Sequence, residues 1–228
     1  MDFFIYAIII KKPKGTENTP PPYRMEKKME RKLLGFNENI KDQNNILKEI
    51  IMENAVLSTI IKKAPKLELK HYYIGGGCIA QTVWNYQNGL DLLYGISDVD
   101  LVYYDPSDLS YDAEDCVVKA GGVLFREAPL PLDIKNQART HLWYEKSFGY
   151  PLNPYPCVEA AINSWPTTAT SVGVRLIGQE LVVYAPYGLN DLFGQIIRAN
   201  KTQITETTYR DKADKWLKKW NTLTVIPW

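Results

Sequence analysis

The sequence predicts an α/β (α+β) domain, a short mixed sheet flanked by helices, with further helical elements at the N- and C-terminal ends. Three observations carry this reading. Apolar residues recur at three- and four-residue spacings from Asn39 to Ile61. The middle of the chain alternates short β-rich runs with helical ones around a glycine triplet, Gly75 to Gly77. Near the C-terminus, Tyr209, Ala213, Trp216, Leu217 and Trp220 share one helical face. With 228 residues, 45% hydrophobic and 23% charged, the chain has material for one sizeable core and lacks the composition of a disordered or fibrous protein.

The elements follow in order. Residues 1–32 read as a leader or linker and 33–228 as the domain, because Lys11 to Arg24 (KKPKGTENTPPPYR) joins charges, a proline triplet and turn formers. The apolar stripe Ile46, Leu47, Ile50, Ile51, Leu57, Ile60 and Ile61 predicts a helix that Pro65 ends. His71 to Ile74 reads as a strand, Ile79 to Tyr86 as a helix, and Asp98 to Tyr104 as a strand closed by the turn formers of Asp105 to Asp108. Tyr111 to Lys119 reads as helical, Leu130 to Ile134 as a strand and Gln137 to Lys146 as a helix. Val172 to Ile177 and Leu181 to Tyr184 form two strands joined at Gly178-Gln179, and Asp191 to Arg198 a helix capped by Asn190.

The net charge of +1 hides an asymmetry. Residues 1–35 carry eight basic and four acidic groups, so the rest of the chain is at −3. A mildly acidic body argues against a broad phosphate-binding surface and hence against long RNA as a partner. Cys78, Cys116 and Cys157 are odd in number and form no C-x-x-C pair, which supports neither a disulfide framework nor a zinc cluster. The longest apolar run, Phe3 to Ile10, falls short of the ~20 residues of a membrane span. It also lacks the flanks of a secretory signal. The expectation is a cytoplasmic protein that does not contact the membrane.

The chemistry centres on Gly75-Gly76-Gly77 and Asp98-Val99-Asp100. Residues i and i+2 of a strand share a face, so Asp98 and Asp100 project together and repel. A divalent cation removes that penalty, and Mg²⁺ takes carboxylate and phosphate oxygens. Two such ions can serve both the attacking and the leaving oxygen of a phosphoryl displacement. A glycine turn running into a helix is a natural phosphate cradle, here Gly76 and Gly77. The third carboxylate expected on a neighbouring strand is Asp133, a lone acid between Leu132 and Ile134, with an ion pair to Lys135 or Arg139 as its alternative role. Asp112, Glu114 and Asp115 read as a solvated helix face.

Together, the Gly-Gly turn, the D-x-D strand and the later Asp resemble the nucleotidyltransferase superfamily typified by DNA polymerase β and the CCA-adding and poly(A) polymerases. The blocks GGGCIAQTVWN, GISDVDLVYYD, DIKNQARTHLWYEKSFGYP, TTATSVGVRL and VYAPYGLNDLF are similar to a mainly bacterial branch of nucleotidyltransferase family proteins, from about Tyr72 to Trp228. The resemblance implies a nucleotidyltransferase-type sheet and Mg²⁺-dependent transfer of an NMP group from an NTP to an acceptor hydroxyl, releasing pyrophosphate. It implies Asp98, Asp100 and Asp133 as metal ligands and catalytic groups. Where CCA-adding enzymes carry an arginine three residues after Gly-Gly, this chain has Ala80 followed by Gln81. A small molecule or a protein is favoured as acceptor. The competing reading is a non-catalytic nucleotide-binding or regulatory module on the same fold, against which the third Asp counts. A phosphatase with a nucleophilic Asp is weaker, because Leu101 and Val102 stand where a Thr is expected.

Other residues receive bland assignments. Arg139 is expected to steady the triphosphate, whereas His141 reads as structural. Thr167, Thr168, Thr170 and Ser171 read as turn and strand residues, and Trp84, Trp216 and Trp220 as core anchors. Arg175 stays ambiguous between a phosphate contact and an internal ion pair.

Overall fold

The computed structural model describes residues 34–228; the leader expected over residues 1–32 lies outside the described residues. Helix α1 (Ile40–Glu53) starts where the Asn39 side chain accepts hydrogen bonds from the backbone N–H groups of Lys41 and Asp42. The single helix expected up to Pro65 is in fact two. Asn54 leaves helical geometry and its side chain caps α2 (Ala55–Lys63), accepting from Val56 N and Leu57 N. Its Nδ2 donates to Thr82 Oγ1 and to Leu92 O. The apolar stripe runs straight across this break, with Leu47, Ile50, Ile51, Leu57, Ile60 and Ile61 all buried, so periodicity alone does not show it.

The sheet comes next: β1 (Tyr72–Gly75), α3 (Gly77–Asn88), β2 (Val99–Tyr103), α4 (Tyr111–Leu124), β3 (Leu132–Asn136), α5 (Thr140–Phe148), α6 (Val158–Ile162), β4 (Gly173–Ile177) and β5 (Glu180–Tyr184). Its strand order is β3-β2-β1-β4-β5. Strand β1 runs antiparallel to β2 and β4, whereas β2 and β3 are parallel. Helix α4 is the crossover that a parallel pair demands. It packs on β3 so closely that a Cβ at Gly121 would overlap Ile134 Cδ1.

At the C-terminal end, α7 (Asn190–Phe193) is a single turn followed by β6 (Ile196–Ile197), then α8 (Glu206–Leu217) and β7 (Thr224–Val225), which pairs in parallel with β6. The helix expected over Asp191 to Arg198 is thereby corrected. Gln195 adopts a left-handed backbone (φ 53°) that ends the turn, and Asn190 accepts from Asn37 N instead of capping a helix.

Helix α3 is the centre of the molecule. Every residue from Cys78 to Asn85 is buried, polar ones included. Burying polar groups without partners costs free energy, and neighbouring backbone supplies partners to Asn85, Gln87 Nε2 and the Trp84 indole. Asn85 Nδ2 donates to Tyr94 O (2.8 Å) and Leu92 O (3.3 Å), and Trp220 Nε1 donates to Asn85 Oδ1 (2.7 Å). Gln87 Nε2 donates to Phe193 O, and Trp84 Nε1 to Leu192 O. The Trp84 ring meets Trp216 and Trp220 edge-on, with centroids 5.7 and 5.6 Å away. No helix among the described residues is long and apolar enough to cross a membrane.

Asn85→Ala removes three buried hydrogen bonds and leaves Trp220 Nε1 unpaired. A loss of about 3 kcal/mol is expected in urea denaturation; a variant within experimental error of the parent would show that this network does not hold α3.

Candidate active site

The turn between β1 and α3 has a conformation reserved for glycine: Gly76 has φ 73° and ψ −136°. Its N–H donates to Val172 O (2.9 Å). A Cβ at Gly76 would lie 3.1 Å from Asp100 Oδ2 and 3.6 Å from Trp165 Cζ3, so the turn is pressed between a carboxylate and an aromatic ring. No side chain caps the first turn of α3, whose N–H groups remain available for an anion.

Asp100 sits on β2 beside Gly75 of β1 on one side and Asp133 of β3 on the other. Neighbouring strands are about 4.8 Å apart, so the Asp100–Asp133 register brings two acids into adjacent positions. Asp98 precedes β2 directly, and Ser97 Oγ donates to its Oδ1 (2.8 Å). Asp98 and Asp100 line a cleft of about 400 Å³, together with Gly76 and Gly77. Lys135, Gln137, Trp165, Thr170, Lys212 and Trp216 form other parts of its wall. Asp133 is turned to Lys135, with Oδ1 and Nζ 2.8 Å apart.

Burial is the main reason that the Asp100 carboxyl is pushed up to about 7. The Asp98 and Asp133 charges raise it further, and Lys212 and Lys135 oppose them. This donor set suits Mg²⁺: it offers hard carboxylate oxygens, and an added cation would relieve the mutual repulsion. Among the described residues no three His, Cys, Asp or Glu side chains are gathered in metal-binding positions. On the β3 side, Asp133 is engaged by Lys135. Both side chains are more than 40% exposed, and exposed pairs are worth only about 0–1 kcal/mol, so the exchange of Lys135 for a divalent cation is cheap.

Arg139 is not brought to the cleft. Its guanidinium is ion-paired with Glu114, the two side chains being 9% and 12% exposed, and Nε donates to Leu109 O (2.8 Å). Glu114 also accepts from Asn136 N (2.7 Å) and is thus a buried clamp between α4 and β3, not part of a solvated face. The cations at the cleft are Lys135 and Lys212. Lys212 reaches it from α8, one turn before Trp216; its only signal in the sequence is a lysine at the edge of an apolar helical face. Trp216 both packs on Trp84 and lines the cleft. Among the described residues Arg175 forms no ion pair; it stacks over Tyr73, with Cζ 4.6 Å from the ring centroid.

The fold is similar to that of a solved domain. An NMR structure described as revealing a CCA-adding enzyme head domain aligns with a TM-score of 0.66 at 23% identity, covering 81% of this chain and 96% of that one. At the level of sequence, residues 62–225 match the nucleotidyltransferase family model, and the chain belongs to that family. None of the curated proteins matches it.

Two measurements test this description. In metal-free buffer, folded Asp100 holds a proton between about pH 4 and 7 that the unfolded chain releases, so stability falls as pH rises through that window. Asp100→Asn is therefore expected to be more stable than the parent at pH 8, by about 1–3 kcal/mol, and to lose that advantage near pH 4; equal pH profiles would contradict a desolvated carboxylate. Arg139→Met leaves Glu114 buried without its partner and is expected to cost about 3–5 kcal/mol in thermal or urea unfolding. Nucleotide affinity of the folded fraction stays unchanged, whereas a large loss of affinity would return Arg139 to the site.

Proposed function

We propose that this protein moves an NMP group from an NTP to an acceptor hydroxyl, with Mg²⁺, releasing pyrophosphate. The observation that supports this reading most directly is the register of Asp100, two residues after Asp98, with Asp133, beside a glycine turn that opens α3. Mg²⁺ ions held by Asp98, Asp100 and Asp133 would supply charge neutralisation to the triphosphate and to the crowded carboxylates.

The chain's own groups do the rest. Backbone N–H groups at Gly76, Gly77 and the start of α3 hold the β- and γ-phosphates, where the helix end favours negative charge. Lys212 and Lys135 face the triphosphate, standing in for the arginine that is absent at position 80. Asp133, released from Lys135, accepts the acceptor's hydroxyl proton as that oxygen bonds to the α-phosphorus. The bond from the α-phosphorus to the bridging oxygen breaks and pyrophosphate leaves. Catalysis then rests on positioning and charge, as phosphoryl transfer generally does.

Pyrophosphate release from NTP in the presence of mixed hydroxyl acceptors is expected to require Mg²⁺ and to stop with EDTA. Asp98→Asn and Asp100→Asn are each expected to lower it by about 100-fold or more; undiminished activity in either variant would show that the acids do not carry the reaction. Gly76→Ala strains the turn by about 1–3 kcal/mol and places a methyl group against Asp100. Calorimetry should then register weaker Mg²⁺–NTP binding, and parental affinity would remove the turn from the phosphate site.

A further inference from the structure

We infer that the aromatic pocket beside the cleft is the acceptor subsite, and that it takes a small alcohol carrying one flat ring, neutral or anionic. This rests on the transfer reading above. The pocket has a volume of about 240 Å³ and shares Gln137, Trp165, Pro166 and Lys212 with the cleft, so the two adjoin. Trp165 joins them physically, since it lies against the Gly76 turn and also walls the pocket. Gln137, shared by the cleft and the pocket, directly follows β3, the strand that carries Asp133 and Lys135.

Six of its wall residues are aromatic, and the three tyrosine hydroxyls among them are already engaged. Tyr150 OH donates to Gln203 O (2.7 Å) and lies 3.1 Å from Tyr144 OH, while Tyr155 OH pairs with Ser164 Oγ (2.5 Å). The Tyr144 ring is 4.4 Å from Phe148 and 5.5 Å from Tyr150, centroid to centroid. Preformed ring surfaces with satisfied tyrosine hydroxyls offer stacking and edge contacts to another flat ring. The volume, below the roughly 300–1,000 Å³ of drug-sized sites, suits a single ring system with a short arm. No Asp or Glu lines the pocket and Lys212 is its charged group, which disfavours cationic acceptors.

The test uses one ring with three arms: tyrosol (neutral), 4-hydroxyphenylacetate (anionic) and tyramine (cationic). Each is titrated into the full chain saturated with Mg²⁺ and a non-hydrolysable ATP analogue, and binding is read from tryptophan fluorescence, since Trp143 and Trp165 line the pocket. Saturable quenching is expected with tyrosol and 4-hydroxyphenylacetate, and about tenfold weaker binding with tyramine. Phe148 is half exposed, so Phe148→Ala spares the fold. It and Tyr144→Leu are each expected to weaken tyrosol about fivefold, with nucleotide affinity unchanged by calorimetry. Three results overturn the inference: no saturable quenching, tyramine binding as tightly as tyrosol, or a short RNA displacing tyrosol at lower concentration. If the variants lower nucleotide affinity as much as tyrosol affinity, the pocket belongs to the NTP base and the inference fails. Absence of Mg²⁺–NTP binding in the parent sinks the transfer reading instead, and tyrosol titration without nucleotide then decides the pocket alone.

Discussion

The burial of helix α3 on every side is the constraint on which the rest of the molecule depends. A helix with no solvent face between Cys78 and Asn85 cannot leave its polar side chains to water, so Asn85 and Gln87, together with the Trp84 indole, draw in the loop at Leu92–Tyr94 and the end of α7 at Leu192–Phe193. The C-terminal Trp220 is tied to the same helix through Asn85. The start of α3 is thereby fixed against the sheet, with Gly76 touching both Asp100 and Trp165. A site assembled on such a helix is positioned by the core instead of by loop geometry.

Charge is the second organising element. Burial makes the Asp100 carboxylate costly to ionise, and the charges of Asp98 and Asp133 add to that cost. Lys135 and Lys212 offset it in part. The other ion pair in this region, Arg139 with Glu114, serves a different purpose: it fastens α4 to the end of β3 and so holds the parallel strand that carries Asp133. One basic residue near the site is structural, therefore, while a distant one on α8 faces the cleft. The near-neutral body suits a protein that concentrates its charge in one place and offers an aromatic surface next to it.

Much of the fold was legible. Strands β1 to β5 and helices α3 to α5 lie where alternation and helical spacing put them, within a few residues. The failures have specific causes. The break at Asn54 interrupts a stripe whose apolar residues continue in phase, so only the cap and its bonds to Thr82 and Leu92 reveal it. The C-terminal helix expected after Asn190 is cut short because Gln195 turns left-handed and Ile196–Ile197 finds a partner strand almost thirty residues later. Helical and strand patterns of so few residues are not distinguishable by period.

For the site, the sequence by itself determined the local chemistry: a turn that needs glycine, and two acids on one strand face. Both follow from backbone rules that act over a few residues. Which residues stand beside them was decided by tertiary structure. Asp133 comes into register with Asp100 only through the α4 crossover, Lys212 arrives from a helix far along the chain, and Arg139 is withdrawn by Glu114. The physical reason is that a charged side chain goes where its desolvation is best compensated, and those partners are set by packing between elements, which no window of sequence contains.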